Sequence, residues 1–118
     1  MAEYIIANTA ELQPGQHKIV TIDRVQIGLF RIGDAFYALP NLCPHQRGPL
    51  CEGKLGGAIL ADAASGWQRE WRFDGEVVTC PWHGMEFRVT TGQCLVSSKI
   101  RLRLYPLTIE GTWITITL

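Results

Sequence analysis

The chain has 118 residues, 47% of them hydrophobic, and its 11 basic and 11 acidic side chains cancel to a formal net charge of zero. These values describe a single globular domain over residues 1–118 with a small core, and they exclude a disordered chain. No basic stripe marks a nucleic-acid partner, no apolar run is long enough to span a membrane, and the N-terminus lacks a signal peptide's basic and apolar regions, so the expected compartment is the cytoplasm.

In chain order, β-branched residues and glycine turns dominate, and apolar residues do not recur at helical spacing. Residues 4–7 read as a first strand, 9–12 as a capped turn, and Pro14-Gly15 as a tight bend. Residues 17–22 read as a strand, and 27–32 with 35–39 as a hairpin whose Gly33 supplies the positive φ of a two-residue turn. Residues 40–53 hold three prolines and two glycines and read as a loop. A second hairpin is expected from 55–61 and 67–73, with Asp74-Gly75 as a further turn into a strand at 76–79. Residues 85–89 make a short strand closed by Thr91-Gly92. Near the C-terminus, Leu102 and Leu104 alternate with Arg101 and Arg103, and Ile114, Ile116 and Leu118 with Trp113, Thr115 and Thr117, around a turn at Glu110-Gly111. The fold expected is all-β: a small antiparallel sandwich or barrel with a loop-rich subdomain over roughly residues 40–92.

Two stretches in those loops carry chemistry, Cys43-Pro44-His45 and Cys80-Pro81-Trp82-His83. Each pairs a thiol with an imidazole across a tight spacer. A proline follows each Cys, and Gly48 or Gly84 lies just beyond the pair. Together Cys43, His45, Cys80 and His83 are a complete four-ligand set. Zinc accepts two Cys and two His, which leaves a structural zinc module as one reading. Zinc knuckles, however, favour like ligands within a pair, whereas here each loop is mixed. Mixed pairs suit a binuclear [2Fe–2S] centre in which two His replace two Cys on one iron. Two thiolates and two neutral imidazoles leave such an oxidised core near zero charge, against about −2 with four thiolates, so an electron enters more readily.

At these residues the sequence resembles the Rieske-type ferredoxins and Rieske domains. The likeness lies in Cys43-Pro-His45 with Gly48-Pro49-Leu50, and in Cys80-Pro-Trp-His83-Gly84. It extends to Asp-Ala-Phe-Tyr-Ala-Leu-Pro-Asn-Leu at 34–42 and Glu86-Phe-x-x-x-Thr-Gly92, and covers nearly the whole chain. The resemblance implies an antiparallel β domain with one [2Fe–2S] cluster, Cys43 and Cys80 on one iron and His45 and His83 on the other, the two imidazoles forming the electron exit. High-potential members carry a Ser two residues and a Tyr four residues after the second His, and a disulfide between the loops. Here those positions are Met85 and Phe87, and Trp82 stands where the extra Cys would be, which implies a low-potential centre without that disulfide.

The implied function is a carrier of single electrons from a reductase to a terminal oxygenase of the ring-hydroxylating type. The small Rieske subunit of a nitrite reductase-like enzyme is the nearest alternative. With His17 the only further histidine, the chain has no second site of two His and a carboxylate, so it is expected not to be an enzyme by itself. Thirty-four residues separate His45 from Cys80, more than in the shortest such ferredoxins. The surplus, about residues 56–74, is either a hairpin packing its own Trp67 and Trp71 or a docking surface beside the cluster. Cys51 and Cys94 read as buried free thiols, His17 as a strand histidine, Arg47 as either a charge over the cluster loop or a solvated surface residue, and Trp82 as a shield for the cluster. Arg88, Lys99, Arg101 and Arg103 read as a solvated strand face rather than a patch for an acidic redox partner.

Overall fold

Residues 27–30, Ile-Gly-Leu-Phe, form a run without a polar side chain, and in the computed structural model all four are buried. The structure describes residues 2–42, 48–81, 84–95 and 97–118. The apolar run belongs to β3 (Val25–Ile32), the middle strand of a sheet with β2 (His17–Ile22) and β4 (Ala35–Pro40). Side chains alternate across a strand, so a strand apolar at every position must be covered on both faces. Ile27 and Leu29 point to one core, shared with Ile114 and Ile116; Phe30 points to the other, shared with Val78, Phe87 and Val89. Burying Ile27, Leu29 and Phe30 contributes about 1.5–3 kcal/mol each.

The sheet of β2, β3 and β4 is therefore the middle of three layers. On one side lies the sheet β1-β9-β8, built from β1 (Glu3–Asn8), β8 (Leu107–Glu110) and β9 (Trp113–Thr117). On the other lies β5-β6-β7, built from β5 (Leu55–Leu60), β6 (Glu70–Thr79) and β7 (Glu86–Arg88). Every ladder among the described residues is antiparallel, and helical structure there is limited to three single 3₁₀ turns. The all-β antiparallel architecture expected from the residues is thus the one observed. No helix among the described residues is long and apolar enough to cross a membrane.

The turn chemistry follows the glycines. Gly33 takes φ +60° between β3 and β4, and Gly111 takes +63° between β8 and β9. The turn at residues 9–12 is capped from Asn8, whose Oδ1 accepts from the Ala10 N–H at 3.0 Å. One hairpin turn carries no glycine: Asp23 and Arg24 join β2 to β3, both with positive φ (45° and 73°), as a right-twisted two-residue hairpin requires.

Three local expectations are corrected. Asp74-Gly75 is not a turn between two strands. It lies in a wide bulge within β6, where residues 73–76 stand opposite Gly57 alone, with Phe73 at φ +55° and Gly75 at +75°. Trp67 is not in a strand: its φ of +64° places it in the turn, and pairing begins at Leu60 and Glu70. Around 101–104 the alternation holds without a ladder. Leu102 is buried and Arg101 and Arg103 are exposed, but the segment makes one bridge, Arg101 to Gln93.

Candidate metal centre

Of the four candidate ligands, Cys80 lies within the described residues; Cys43, His45 and His83 lie outside them, as do Arg47 and Trp82. Cys80 directly follows β6 and is buried. Its main chain closes a short loop. The Cys80 N–H donates to the Met85 carbonyl at 2.8 Å, and the Gly84 N–H donates to the Cys80 carbonyl at 2.9 Å. Gly84 adopts φ +70°, a conformation in which a Cβ is strained. The loop is anchored because β6 pairs with β7 on its far side, Val78 opposite Phe87 and Thr79 opposite Glu86.

The base of the first loop is held by a residue the sequence reading passed over. Asn41 is the one buried polar side chain among the described residues. Its Oδ1 accepts from the Cys51 N–H at 2.7 Å, and its Nδ2 donates to the Gln26 Oε1 at 3.1 Å. One amide thus ties the exit of β4 to the far end of the loop, ten residues on. A single Asn after a strand is a common turn signal, and although Asn41 falls in the stretch that carries the resemblance, residue type and spacing assign it no role in holding the loop. The turn at Leu50–Glu52 then sinks Leu50 and Cys51 into the core with Phe30 and Val78.

Gly53 brings the two loops together. A Cβ built there would overlap the Thr79 carbonyl oxygen, one residue before Cys80, so only glycine lets the chains approach this closely. The Thr79 N–H donates to the Lys54 carbonyl at 3.2 Å beside that contact. The result is an open cleft of about 510 Å³ lined, among the described residues, by Glu52, Gly53, Lys54, Thr79, Cys80, Pro81 and Gly84.

The two spare thiols and His17 lie elsewhere. Cys51 lies under Gly28, where a Cβ would strike its Sγ, and its thiol reaches the Pro40 carbonyl at 3.5 Å. Burial pushes that thiol up to about 12, with Glu52 adding to the rise and the Gly28 main chain opposing it. Cys94 is likewise a buried free thiol, so Cys51 and Cys94 form no disulfide. His17 stands in β2, its ring stacked on Phe30 with centroids 4.9 Å apart and planes within 10°. Burial lowers its pKa, partly offset by its hydrogen bond to the Cys51 main chain. Arg88 lies 4.2 Å over the Phe73 ring and pairs with Glu76 at 3.2 Å, and Arg101 donates to the Thr91 carbonyl at 3.1 Å. Arg88 is thereby paired with a charge and Arg101 held by a carbonyl, two of the four residues of the basic cluster.

This geometry fits a thiolate-held cluster. The bases of both candidate-ligand loops meet at a cleft that Cys80 lines, while Cys51 and Cys94 are buried in the core. The comparisons agree. The family model for the Rieske [2Fe-2S] domain matches residues 2–106. The chain is 30% identical over 88 residues to ferredoxin CarAc of Metapseudomonas resinovorans, covering 74% of this chain and 65% of that protein. It is 27% identical over 109 residues to the ferredoxin component of the naphthalene 1,2-dioxygenase system of Pseudomonas aeruginosa, covering 92% and 88%. Its fold superposes with a TM-score of 0.73 and 26% identity on a chain in the complex of reduced oxygenase and oxidised ferredoxin in carbazole 1,9a-dioxygenase, covering 97% of this chain and 91% of that one. The family model over residues 2–106, met by a three-layer antiparallel frame whose two loop bases face each other beside a buried cysteine, makes this chain a member of the Rieske [2Fe-2S] domain family.

Proposed function

We propose that the chain is a low-potential Rieske-type ferredoxin that carries single electrons from a reductase to a terminal oxygenase of the ring-hydroxylating type, and has no catalytic activity of its own. The observation that carries this reading is the meeting of the two loop bases at Gly53 and Thr79, which sets the described chain at 50–54 against the main chain next to Cys80. In this reading Cys43 and Cys80 hold one iron and His45 and His83 the other, within a cluster-binding subdomain over residues 40–92. A [2Fe–2S] cluster bound there supplies a one-electron couple. The protein's part is to keep the thiols deprotonated, hold the loops rigid and limit water. The buried side of the Cys80 loop, with Phe87 and Val78 in the core, serves the last two.

Support for a low potential comes from what surrounds Cys80. Met85 and Phe87 carry no hydroxyl to donate to a sulfur, and the Cys80 N–H is already given to the Met85 carbonyl. The relatives support the partner class, since one named above is the ferredoxin component of a dioxygenase system and the superposed chain comes from an oxygenase–ferredoxin complex. The test is a redox titration followed by EPR. The expected midpoint lies in the lower part of the roughly −150 to +300 mV range of Rieske centres, below about 0 mV. Cys43→Ser and His83→Ala each abolish the reduced-state signal. A midpoint well above 0 mV refutes the low-potential assignment, and a colourless, iron-free protein containing zinc refutes the redox reading.

A further inference from the structure

The hairpin of β5 and β6 runs away from the cluster end. Ile59 lies four residues along β5 from Leu55, which pairs with Val78, two residues before Cys80. At about 3.3 Å per residue this puts Ile59 roughly 20 Å from Cys80. The hairpin does not pack its aromatics inward. Ile59 is 63% exposed, its cross-strand partner Trp71 59%, and Trp67 in the turn 72%. Trp71 lies over Gly57, where a Cβ would stand 2.7 Å from its Cε2. The opposite face holds the hairpin's ion pairs, beside Ala58 and Leu60. There Arg72 pairs with Asp62 and Glu70, and its guanidinium holds the Asp62 carboxyl below the usual carboxylate range.

The main-chain edge points the same way. The three sheets have six edge strands among the described residues. Five carry a device that discourages strand addition: Glu3 in β1, Lys18 in β2, Pro40 in β4, Glu86 and Arg88 in β7, Glu110 in β8. β5, Leu-Gly-Gly-Ala-Ile-Leu, has neither charge nor proline, and no backbone hydrogen bond among the described residues satisfies its outer side. A bare edge of this kind takes another strand, and the apolar face beside it favours an apolar one.

We infer that β5 pairs antiparallel with β5 of a second copy, joining the two outer sheets into one across a two-fold axis. The register follows from the faces. Ala58 meets Ala58 of the second copy, and Ile59 falls opposite Gly57, where it packs against the ring of Trp71. The two Trp and Ile59 offer on the order of 400 Å² of apolar surface per copy. That is about half of one side of a standard interface, with the main-chain edge making up the rest. Net charge is zero, so the copies do not repel. A redox partner suits this edge less well, because it must reach the Cys80 end. Dimerisation here leaves both cluster ends free.

The test is sedimentation of the cluster-loaded protein over a concentration series, with hydrogen exchange on the same samples. The expected result is a reversible monomer–dimer equilibrium, with β5 amides exchanging more slowly at high concentration and β1 amides unchanged. Ile59→Lys, at an exposed side chain, raises the dimer dissociation constant at least about tenfold while leaving the visible and EPR spectra intact. Ile5→Lys, at an equally exposed position on β1, leaves it unchanged. A monomer at all concentrations to about 1 mM overturns the inference, as does a dimer that survives Ile59→Lys or is lost in Ile5→Lys.

Discussion

Replacing Asn41 by Ala removes one side chain and leaves a buried donor without a partner. The Cys51 N–H loses its acceptor at 2.7 Å, in a region where Cys51 and Leu50 are wholly buried and water does not replace it. An orphaned buried N–H costs about 1–3 kcal/mol, and the lost bond to Gln26 adds roughly 0.5–1 kcal/mol. The sum, about 1.5–4 kcal/mol, is a large part of the 5–15 kcal/mol that ordinarily holds a domain together. For a chain of this size it lowers the melting temperature by roughly 10 °C. Because the amide ties the two ends of the first ligand loop, the loss also falls on cluster retention. Asn41→Ala therefore bleaches faster than the parent at a fixed temperature, followed by visible absorbance, in addition to melting earlier. Asn41→Asp keeps an acceptor for the Cys51 N–H and loses the donor to Gln26, so it falls between the two. If Asn41→Ala melts within about 1 °C of the parent and bleaches at the same rate, the amide is not what holds the loop.

Gly53→Ala places a methyl group against the Thr79 carbonyl oxygen, which belongs to the main chain and cannot swing aside. The expected outcome is a protein purified with clearly less than one cluster per chain, measured by iron and sulfide analysis. Cys51→Ser leaves the EPR spectrum unchanged. In the folded parent, Cys51 stays unmodified by iodoacetamide at pH 8 until the protein is unfolded, because its thiol is pushed up to about 12. His17 has a folded pKa below its ordinary 6.5, so between the two values the unfolded chain binds more protons and stability rises with pH. Its contribution is complete above about pH 6.5 and is lost as pH falls from there through the folded pKa. His17→Gln flattens that part of the acid limb in urea-midpoint measurements, and an unchanged slope between parent and variant refutes the assignment.

The turns, the alternation and the ligand types are local properties, and the residues alone reveal them. Gly33 and Gly111 sit where a two-residue hairpin needs positive φ, and Ile114 and Ile116 alternate with Trp113 and Thr115 because side chains on a strand point to opposite faces. Features that depend on a distant partner were not legible. Asp23 and Arg24 form a tight turn against their own backbone preference, because the ladder from Ile22 to Val25 holds them there. Asp74-Gly75 has the composition of a turn, yet the chain continues along the same partner strand and becomes a bulge. Arg101 to Leu104 alternate correctly but find one bridging partner, so no ladder forms.

At the metal centre the same division holds. Two Cys-Pro pairs with a histidine each, Gly48 and Gly84 beyond them, and no hydroxyl at Met85 or Phe87 are facts of sequence, because ligand chemistry depends on residue type and short spacing. Asn41, Gly53 and Gly28 owe their importance to what lies against them: the Cys51 N–H, the Thr79 carbonyl and the Cys51 sulfur, none of them near in sequence. The burial of β3 on both faces and the bare edge of β5 are likewise decisions of the tertiary structure. Which strand covers a face or an edge is set by packing between segments far apart in the chain, and local periodicity carries no record of that partner.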